Sequence, residues 1–395
     1  MVQFAALTVL VAGVSGFVHP GLLHTKEDFA RVKSFVDAKK EPWLTSWNLL
    51  TKNPHAAATW KNRATETVYR GSDGVHSQNY PQLYNDAHAA YQLALRWKIG
   101  GDKSFADASI RILDAWSSTM KAIGGNSDGF LAAGLYGYQL ANAGEIMRDY
   151  TGWPAANRTR LGTLLQDVFY KDSERFLRTH NDASRFHYWA NWDLCNIAAI
   201  QAIGVFTDNQ TMFDYATNYF IAGDGMGAMP NFITANHTEA GSGKILAQSQ
   251  EAGRDQGHAT LDLALLGIIL QQGYNQGKDL FALMSNSGLA ASEFIAKYNV
   301  GQDVPWTTYV NPRQGTFPGI SPASRGNVRP GFELLYAHYN DVKGLNASWT
   351  KAYVDYSNAN NAANNGVEGG GGNYESTSGG YDYLGFGTLM YRQKA

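Results

Sequence analysis

Apolar residues recur along most of the chain with the spacing of an amphipathic α-helix. In residues 26–38 this pattern places Phe29, Val32 and Phe35 on one helical face. The same periodicity predicts further helices at about 86–98, 104–121, 130–150, 158–178, 189–206, 211–221, 257–272, 279–297 and 331–342. Since no strong strand run lies between these segments, the predicted fold class is all-α.

Three segments share one plan, in which a helix, a polar break and a second helix follow one another. They read DAHAAYQLALRWKIGGDKSFADASIRILDAW, NWDLCNIAAIQAIGVFTDNQTMFDYATNYF and GHATLDLALLGIILQQGYNQGKDLFALM. Such helix pairs cannot bury their apolar faces alone, so they stack side by side. The sequence therefore predicts an (α/α) toroid, an incomplete α/α barrel of stacked helical hairpins, with loops at one end lining a central cleft.

The two ends of the chain differ from this pattern. Residues 1–16 form an apolar run that ends in small residues, which is typical of a signal peptide, although a buried N-terminal helix is the alternative. We expect one toroid domain over residues 17–395 and secretion to the extracellular space. The Pro-rich segment 299–330 is predicted to be a functional loop. The Asn- and Gly-rich stretch 358–380 is expected to be a flexible surface segment, and the apolar residues after it to pack on the body.

The charge balance limits the partners that the chain can have. The net charge of −2, with 17% charged residues, provides no basic field for nucleic acid and no polybasic patch for a membrane. The single cysteine, Cys195, rules out an internal disulfide and is expected to be a buried small side chain. No zinc signature occurs, so no metal is expected. We expect a monomer, glycosylated at the asparagines of four sequons, Asn157, Asn209, Asn236 and Asn346.

The densest polar cluster is QEAGRDQGH at 250–258, just before a predicted helix. Backbone N–H groups and the helix dipole favour an anion at such a helix start. We therefore interpret Glu251, Arg254, Gln256 and His258 as candidate site residues. The alternative is a surface loop held by salt bridges.

A second cluster, at 185–193, contains His187, Asn191 and Trp192 at the start of another predicted helix. Asn191 could donate a hydrogen bond to a carboxylate, and His187 could act as a base or bind substrate. Alternatively, Asn191 is an N-cap and Trp192 belongs to the core. Abundant aromatic residues, 22 Tyr and 10 Trp, fit a sugar-binding groove as well as they fit a large helical core.

Three further clusters supply candidates. Tyr309 and Arg313, in the Pro-rich loop, could transfer a proton, but a tyrosine needs adjacent positive charge to act as a base, and a loop tyrosine can simply pack. Arg329 could hold a carboxylate through two hydrogen bonds, or it could cap a turn. Tyr80 precedes an inner helix and could contact sugar or pack in the core.

At these residues the chain resembles the alginate-lyase-type polysaccharide lyases, the alginate and glucuronan lyase superfamily. The resemblance rests on HPGLLHTKEDFARVK, NDAHAAYQLALRWKIGGDKSFADASIRILDAW, HYWANWDLCN, QEAGRDQGHA and RGNVRPGFELLYAHY. It implies an α/α toroid that cleaves an acidic polysaccharide, alginate or glucuronan, by β-elimination without a cofactor.

The resemblance also implies roles for single residues. Asn191 corresponds to the residue that neutralises the substrate carboxylate, His258 to the active-site histidine and Tyr309 to the catalytic tyrosine. The arginine is not assigned, because no Arg lies between Lys297 and Tyr309. Arg254, Arg313 and Arg329 therefore compete for that role, and the Asn-His dipeptide of relatives is missing around His187.

Two other functions remain open at this point. A toroid-type glycoside hydrolase would need two carboxylates roughly 5–10 Å apart, and Glu251 and Asp255 are the best pair. A non-catalytic carbohydrate-binding cell-wall protein would bind sugar without turnover.

Overall fold

The computed structural model describes residues 16–394, and helices dominate it. The helices are α1 (Lys26–Asp37), α2 (Trp43–Lys52), α3 (Tyr80–Gly100), α4 (Lys103–Thr119), α5 (Gly129–Met147), α6 (Ala155–Leu164), α7 (Lys171–Thr179), α8 (Ala190–Phe206), α9 (Gln210–Ala222), α10 (Met229–Phe232), α11 (Gln256–Asn275), α12 (Leu283–Asn299), α13 (Phe332–Tyr336), α14 (Ser348–Ala359) and α15 (Gly387–Met390). A π-helical turn at Leu165–Tyr170 joins α6 to α7, and another at Ala337–Val342 continues α13.

Five helices form the inner layer of a ring, in the order α3, α5, α8, α11 and α13. Their outer partners α4, α9, α12 and α14 pack against them from outside. The sequence explains the layers: α8 and α11 are apolar on almost all sides and are buried along their length, whereas α4 keeps a polar outer face. The predicted α/α toroid is confirmed.

The inner helices begin at the same end of the ring. The parallel strands β1 (Thr67–Arg70) and β2 (Ala122–Gly125) precede α3 and α5 and pair with each other. At the opposite end, Asn142 of α5 donates a hydrogen bond to Gln272 of α11. We call the end that collects the starts of the inner helices the mouth of the ring. Because helix N-termini attract negative charge, the mouth suits an anionic ligand.

Short antiparallel hairpins, which the sequence pattern does not predict, add to the helices at the mouth. Strand β3 (Ile233–Thr238) pairs with β4 (Ile245–Ser249), and β5 (Tyr309–Asn311) pairs with β6 (Gly315–Phe317). The second hairpin lies within the Pro-rich segment 299–330. That segment is therefore an ordered structure and not an irregular loop throughout.

The C-terminal segment corrects one expectation. Residues 367–371 are buried, so the prediction of a flexible surface segment is wrong there. The carbonyl of Gly371 accepts hydrogen bonds from Asn53 and Gln92, and a Cβ on Gly371 would lie 2.2 Å from Nδ1 of His88. Glycine is required at this position because the backbone runs against buried side chains. The apolar residues that follow are buried against the body, as predicted.

The expected signal peptide falls almost wholly on residues 1–15, which lie outside the described residues. The division of the chain into a signal peptide and one domain stays a prediction. From residue 16 to residue 394, no helix combines the length and apolar character needed to cross a membrane.

A buried carboxyl in the C-terminal segment makes stability depend on pH. Burial, and then the charge of Glu333, raise the pKa of Glu368 to about 8, although backbone N–H groups of Gly331 and Gly387 donate to it. A raised carboxyl pKa means that the folded state keeps a proton that the unfolded state has lost. The contribution of Glu368 to the free energy of unfolding is therefore largest below the ordinary pKa of 4.5 and is lost as pH rises to about 8.

We expect Glu368→Gln to flatten this dependence. The wild-type melting temperature should fall between about pH 5 and pH 8, with a slope of at most about 1.4 kcal/mol of unfolding free energy per pH unit from this group. Calorimetry of both proteins across that range is the measurement. Parallel curves for wild type and variant would contradict the assignment.

Candidate active site

The starts of α8 and α11 meet at the buried carboxylate of Glu251. Its Oε1 accepts hydrogen bonds from the backbone N–H of Asn191, at 2.8 Å, and from the Nδ2 of Asn191, at 2.7 Å. Its Oε2 accepts from Nη1 of Arg254 at 2.8 Å. Glu251 is fully buried and Asn191 is 3% exposed. These contacts fix the orientation of the Asn191 amide at the mouth.

Arg254 connects this pair to the open surface. Its guanidinium lies 5.0 Å from the centre of the Trp189 ring, and 28% of its side chain is exposed. Its Nε also lies 3.5 Å from Oδ2 of Asp255. Arg254 is thus held by two carboxylates and a ring while part of it still reaches solvent, where a negatively charged ligand could contact it.

Asp255 caps α11 and orients His258. Its Oδ1 accepts the backbone N–H of His258 at 2.8 Å, and its Oδ2 lies 2.7 Å from Nδ1 of the same residue. Partial burial opposes ionisation, but the hydrogen bonds from His258 and the charge of Arg254 leave the pKa of Asp255 below its ordinary value. With Nδ1–H donating to Asp255, a neutral His258 keeps Nε2 as an acceptor.

Tyr309 opens the hairpin β5–β6 beside this cluster. Its hydroxyl oxygen accepts hydrogen bonds from the Nε2 of Gln250 at 3.2 Å and from the Nδ2 of Asn311 at 3.3 Å. The Oε1 of Gln250 in turn accepts the backbone N–H of Ala190 at 3.2 Å. Gln250 therefore links the Tyr309 phenol to the first residue of α8, next to Asn191.

The hairpin is held against the 250–254 loop by close packing. A Cβ on Gly253 would lie 2.8 Å from Phe317 and 3.2 Å from Trp306, so a larger residue would push the hairpin away. The Phe317 ring stacks on Tyr309, with 6.0 Å between the ring centres. The amide of Gln314 also donates to the carbonyl of His187, which ties the hairpin turn to the loop before α8.

A second polar cluster lies at the starts of α3 and α5. The guanidinium of Arg70 donates to the hydroxyl of Tyr136 at 3.0 Å and to that of Ser378 at 3.2 Å, and it lies over the Tyr80 ring. Arg329 donates to the carbonyl of Gly379 at 3.2 Å. The structure therefore places Tyr80 and Arg329 around the C-terminal segment and not in contact with Glu251.

The sequence-predicted residues thus fall into separate groups. One connected cluster, the Glu251 network, contains five of them: Tyr309, Asn191, Glu251, Arg254 and His258. Hydrogen bonds join Glu251 to Asn191 and Arg254, Gln250 to Tyr309, and Asp255 to His258. Gln250 adjoins Glu251 in the chain, and an ion pair at 3.5 Å joins Arg254 to Asp255. Four other predicted residues lie nearby, but their side chains do not join this network. Arg313 is exposed at the hairpin turn, the His187 side chain is exposed, and Trp192 packs against Tyr188 and Phe176. Gln256 is fully buried and bonds the Ala252 and Ser321 carbonyls.

Three residues that lie in the network or next to it are not among the candidates that the sequence predicts. Gln250 and Asn311 both donate hydrogen bonds to the Tyr309 hydroxyl. Asp262 is fully buried next to Glu251. Gln250 could have been found, because it begins the same polar cluster. Asp262 carried one weak signal: it is an acid inside an apolar helix, one turn after His258.

The four sequon asparagines differ in exposure. Asn236 and Asn346 are exposed. Asn157 donates to Asp114, and Asn209 caps α9 through its side-chain oxygen. Glycosylation at any of them stays a prediction.

Comparison with known proteins adds to this geometry. The family model described as alginate lyase matches residues 26–298, which is more than half of the chain and includes Asn191, Arg254 and His258 but not Tyr309. No curated protein sequence matches the chain.

Solved structures share the fold at low sequence identity. Alginate lyase A1-III from Sphingomonas species A1 is 14% identical, with a TM-score of 0.55 over 96% of this chain and 98% of that one. A variant of alginate lyase A1-III in complex with a tetrasaccharide is 15% identical, with a TM-score of 0.62 over the same shares. An alginate lyase from Bacteroides ovatus is 12% identical, with a TM-score of 0.54 over 95% of this chain and all of that one.

At these identities the structural matches establish the toroid, and the family model establishes the relationship. The chain belongs to the alginate lyase family and is a polysaccharide lyase.

Proposed function

We propose that the protein is a secreted lyase that cleaves a uronate-containing polysaccharide at the mouth of the ring, giving unsaturated oligosaccharides. Alginate is the favoured substrate and glucuronan the alternative. The observation that carries the proposal is that two chain neighbours hold the site together: Gln250 binds the Tyr309 phenol, and Glu251 binds Asn191 and Arg254. Support for the substrate class comes from the family and from the related lyase that binds a tetrasaccharide.

The chemistry of β-elimination explains why these residue types are needed. The C5 proton of a uronate is weakly acidic while the neighbouring carboxylate keeps its charge. In the proposal, Asn191 and Arg254 bind that carboxylate, and their hydrogen bonds stabilise the negative charge that develops as the proton leaves. Of the three competing arginines, Arg254 is favoured because it alone contacts Glu251.

Tyr309 is proposed as the acid, with His258 assisting in proton transfer. As the C5–H bond breaks, its electrons form the C4=C5 double bond, the C4–O4 bond breaks, and O4 takes the Tyr309 proton. The side-chain amides of Gln250 and Asn311 donate to the phenol oxygen. The phenol hydrogen itself has a weak acceptor, the Met226 sulfur, 4.0 Å from the oxygen. The proton is therefore available to substrate. The C5 proton passes to Tyr309 or to Nε2 of His258.

The glycoside hydrolase alternative is less well supported. It requires Glu251 and Asp255 as a catalytic pair, but Glu251 is fully buried and both its oxygens accept hydrogen bonds from Asn191 and Arg254. A hydrolytic acid must reach the glycosidic oxygen. The family membership likewise favours a lyase over a non-catalytic binding protein.

A substrate panel tests the proposal. The enzyme is purified from the medium of a secreting host, its N-terminus is sequenced, and it is incubated with alginate and glucuronan. We expect an N-terminus near Phe17, an ultraviolet-absorbing product on alginate, and oligosaccharide masses that fit elimination. Masses one water larger, without absorbance, would indicate hydrolysis. Absence of product on every uronan tested would contradict the proposed function, and retention in the cells would contradict secretion.

A further inference from the structure

Asp262 is a buried acid whose environment in α11 calls for an explanation. It lies one helical turn after His258, is fully buried, and within residues 16–394 neither of its oxygens accepts a hydrogen bond from an N–H or hydroxyl donor. An ionised carboxylate in such a place is costly unless donors surround it.

The neighbour of Asp262 is the carboxylate of Glu251. Glu251 accepts three hydrogen bonds, two from Asn191 and one from Arg254, and those donors stabilise it as the ionised member of the pair. Burial, and then the charge of Glu251, raise the pKa of Asp262 well above its ordinary range. Arg254 and Asp255 are the other charged groups that act on it, with opposite signs. Adjacent carboxylates do not both ionise, so the proton belongs on Asp262.

We propose that Asp262 is a positioning residue for the lyase reaction: a protonated carboxyl that donates to Glu251 and so holds Asn191 and Arg254 toward the substrate carboxylate. The inference rests on the proposed roles of Asn191 and Arg254. Two ionised carboxylates would repel each other, whereas a proton on Asp262 forms a charge-assisted hydrogen bond to the Glu251 carboxylate. It also leaves one negative charge fewer behind Asn191 than two ionised carboxylates would, which lowers the repulsion of an anionic polymer.

Two substitutions separate this role from simple packing. Asp262→Asn keeps an N–H donor toward Glu251 and cannot ionise, so its kcat should stay within about threefold of wild type. Asp262→Val removes the donor, so kcat should fall by about 10- to 100-fold, the usual consequence of losing a hydrogen bond to a charged group, while KM changes less. Initial rates on the preferred uronan, corrected for the folded fraction, are the measurement.

Asp86→Asn is the matched control. Asp86 occupies the same position in α3 that Asp262 occupies in α11, and it is equally buried, but it accepts hydrogen bonds from Trp60 and Trp116 away from the Glu251 network. We expect this variant to melt at a lower temperature and to keep the wild-type kcat.

Infrared spectroscopy tests the proton directly and needs no substrate. Protein with isotope-labelled aspartate should show a protonated-carboxyl band at neutral pH that disappears in Asp262→Asn. Absence of that band, wild-type kcat in Asp262→Val, or an equal loss in both variants would overturn the proposal. If Asp262→Val does not fold, the protonated-carboxyl band and the kcat of Asp262→Asn test the proposal without it. A wild-type enzyme that keeps the band but cleaves no uronan would instead contradict the proposed function.

Discussion

Tyr309→Phe is expected to lower kcat on the preferred uronan by about 10²- to 10⁴-fold, the range for losing one acid–base group. The variant keeps the ring that stacks on Phe317 and loses only the hydroxyl that accepts from Gln250 and Asn311. Since Tyr309 is partly exposed, water can satisfy both amides, and the fold should be retained. The measurement is the rate of product absorbance together with the melting temperature.

Tyr274→Phe is the control for this result. Tyr274 lies at the far end of α11, is 39% exposed, and packs edge-to-face against His338 and Phe281. Its loss of a hydroxyl should leave kcat unchanged. A Tyr309→Phe enzyme that works as fast as the wild type would show that another group protonates O4.

Asn191→Ala is expected to lower kcat/KM by about 10²- to 10³-fold, as for removal of one oxyanion-stabilising donor. The variant removes the amide that we place against the substrate carboxylate. Glu251 keeps two of its donors, the backbone N–H of residue 191 and the side chain of Arg254, so the carboxylate beneath the site remains paired. Steady-state kinetics on the same substrate, with the melting temperature as a check of folding, is the measurement.

Gln201→Ala is the matched control on the same helix. Gln201 is fully buried in α8, and its amide contacts Thr217 and Gln272 away from the mouth. We expect a lower melting temperature with unchanged kcat/KM. Equal losses of kcat/KM in both variants would mean that Asn191 acts through the stability of α8 and not through the substrate.

The helical ring could be predicted because its signal is local. The inner helices α5, α8 and α11 are long apolar runs, and periodicity locates them and the outer helices α4 and α9 to within a few residues. The outer helix α14 is not among the predicted helices. The sequence predicts a flexible segment at residues 367–371 because glycine usually indicates a flexible backbone, but these residues are buried. Here Gly371 is needed because His88 leaves no room for a side chain, and that close approach is visible only in three dimensions.

The candidate site could be predicted only in part. Asn191, Arg254 and His258 stood out as polar residues at the starts of inner helices, where the fold collects them. Their connection to Tyr309 depends on a hairpin that sequence patterns do not reveal, and on Gln250 as the link. The sequence alone also does not distinguish which of three arginines binds the substrate carboxylate. The folded structure distinguishes them, because Arg254 pairs with Glu251 beside Asn191, while Arg329 binds the C-terminal segment.

The central claim is that the Asn191 amide and the Tyr309 phenol act on one uronate residue. A crystal structure of Tyr309→Phe with a bound alginate tetrasaccharide tests it most directly. We predict a uronate carboxylate within hydrogen-bond distance of Asn191 Nδ2 and Arg254, with its glycosidic O4 beside the ring of residue 309. A sugar chain bound elsewhere, or one whose carboxylate faces away from Asn191, would contradict the account.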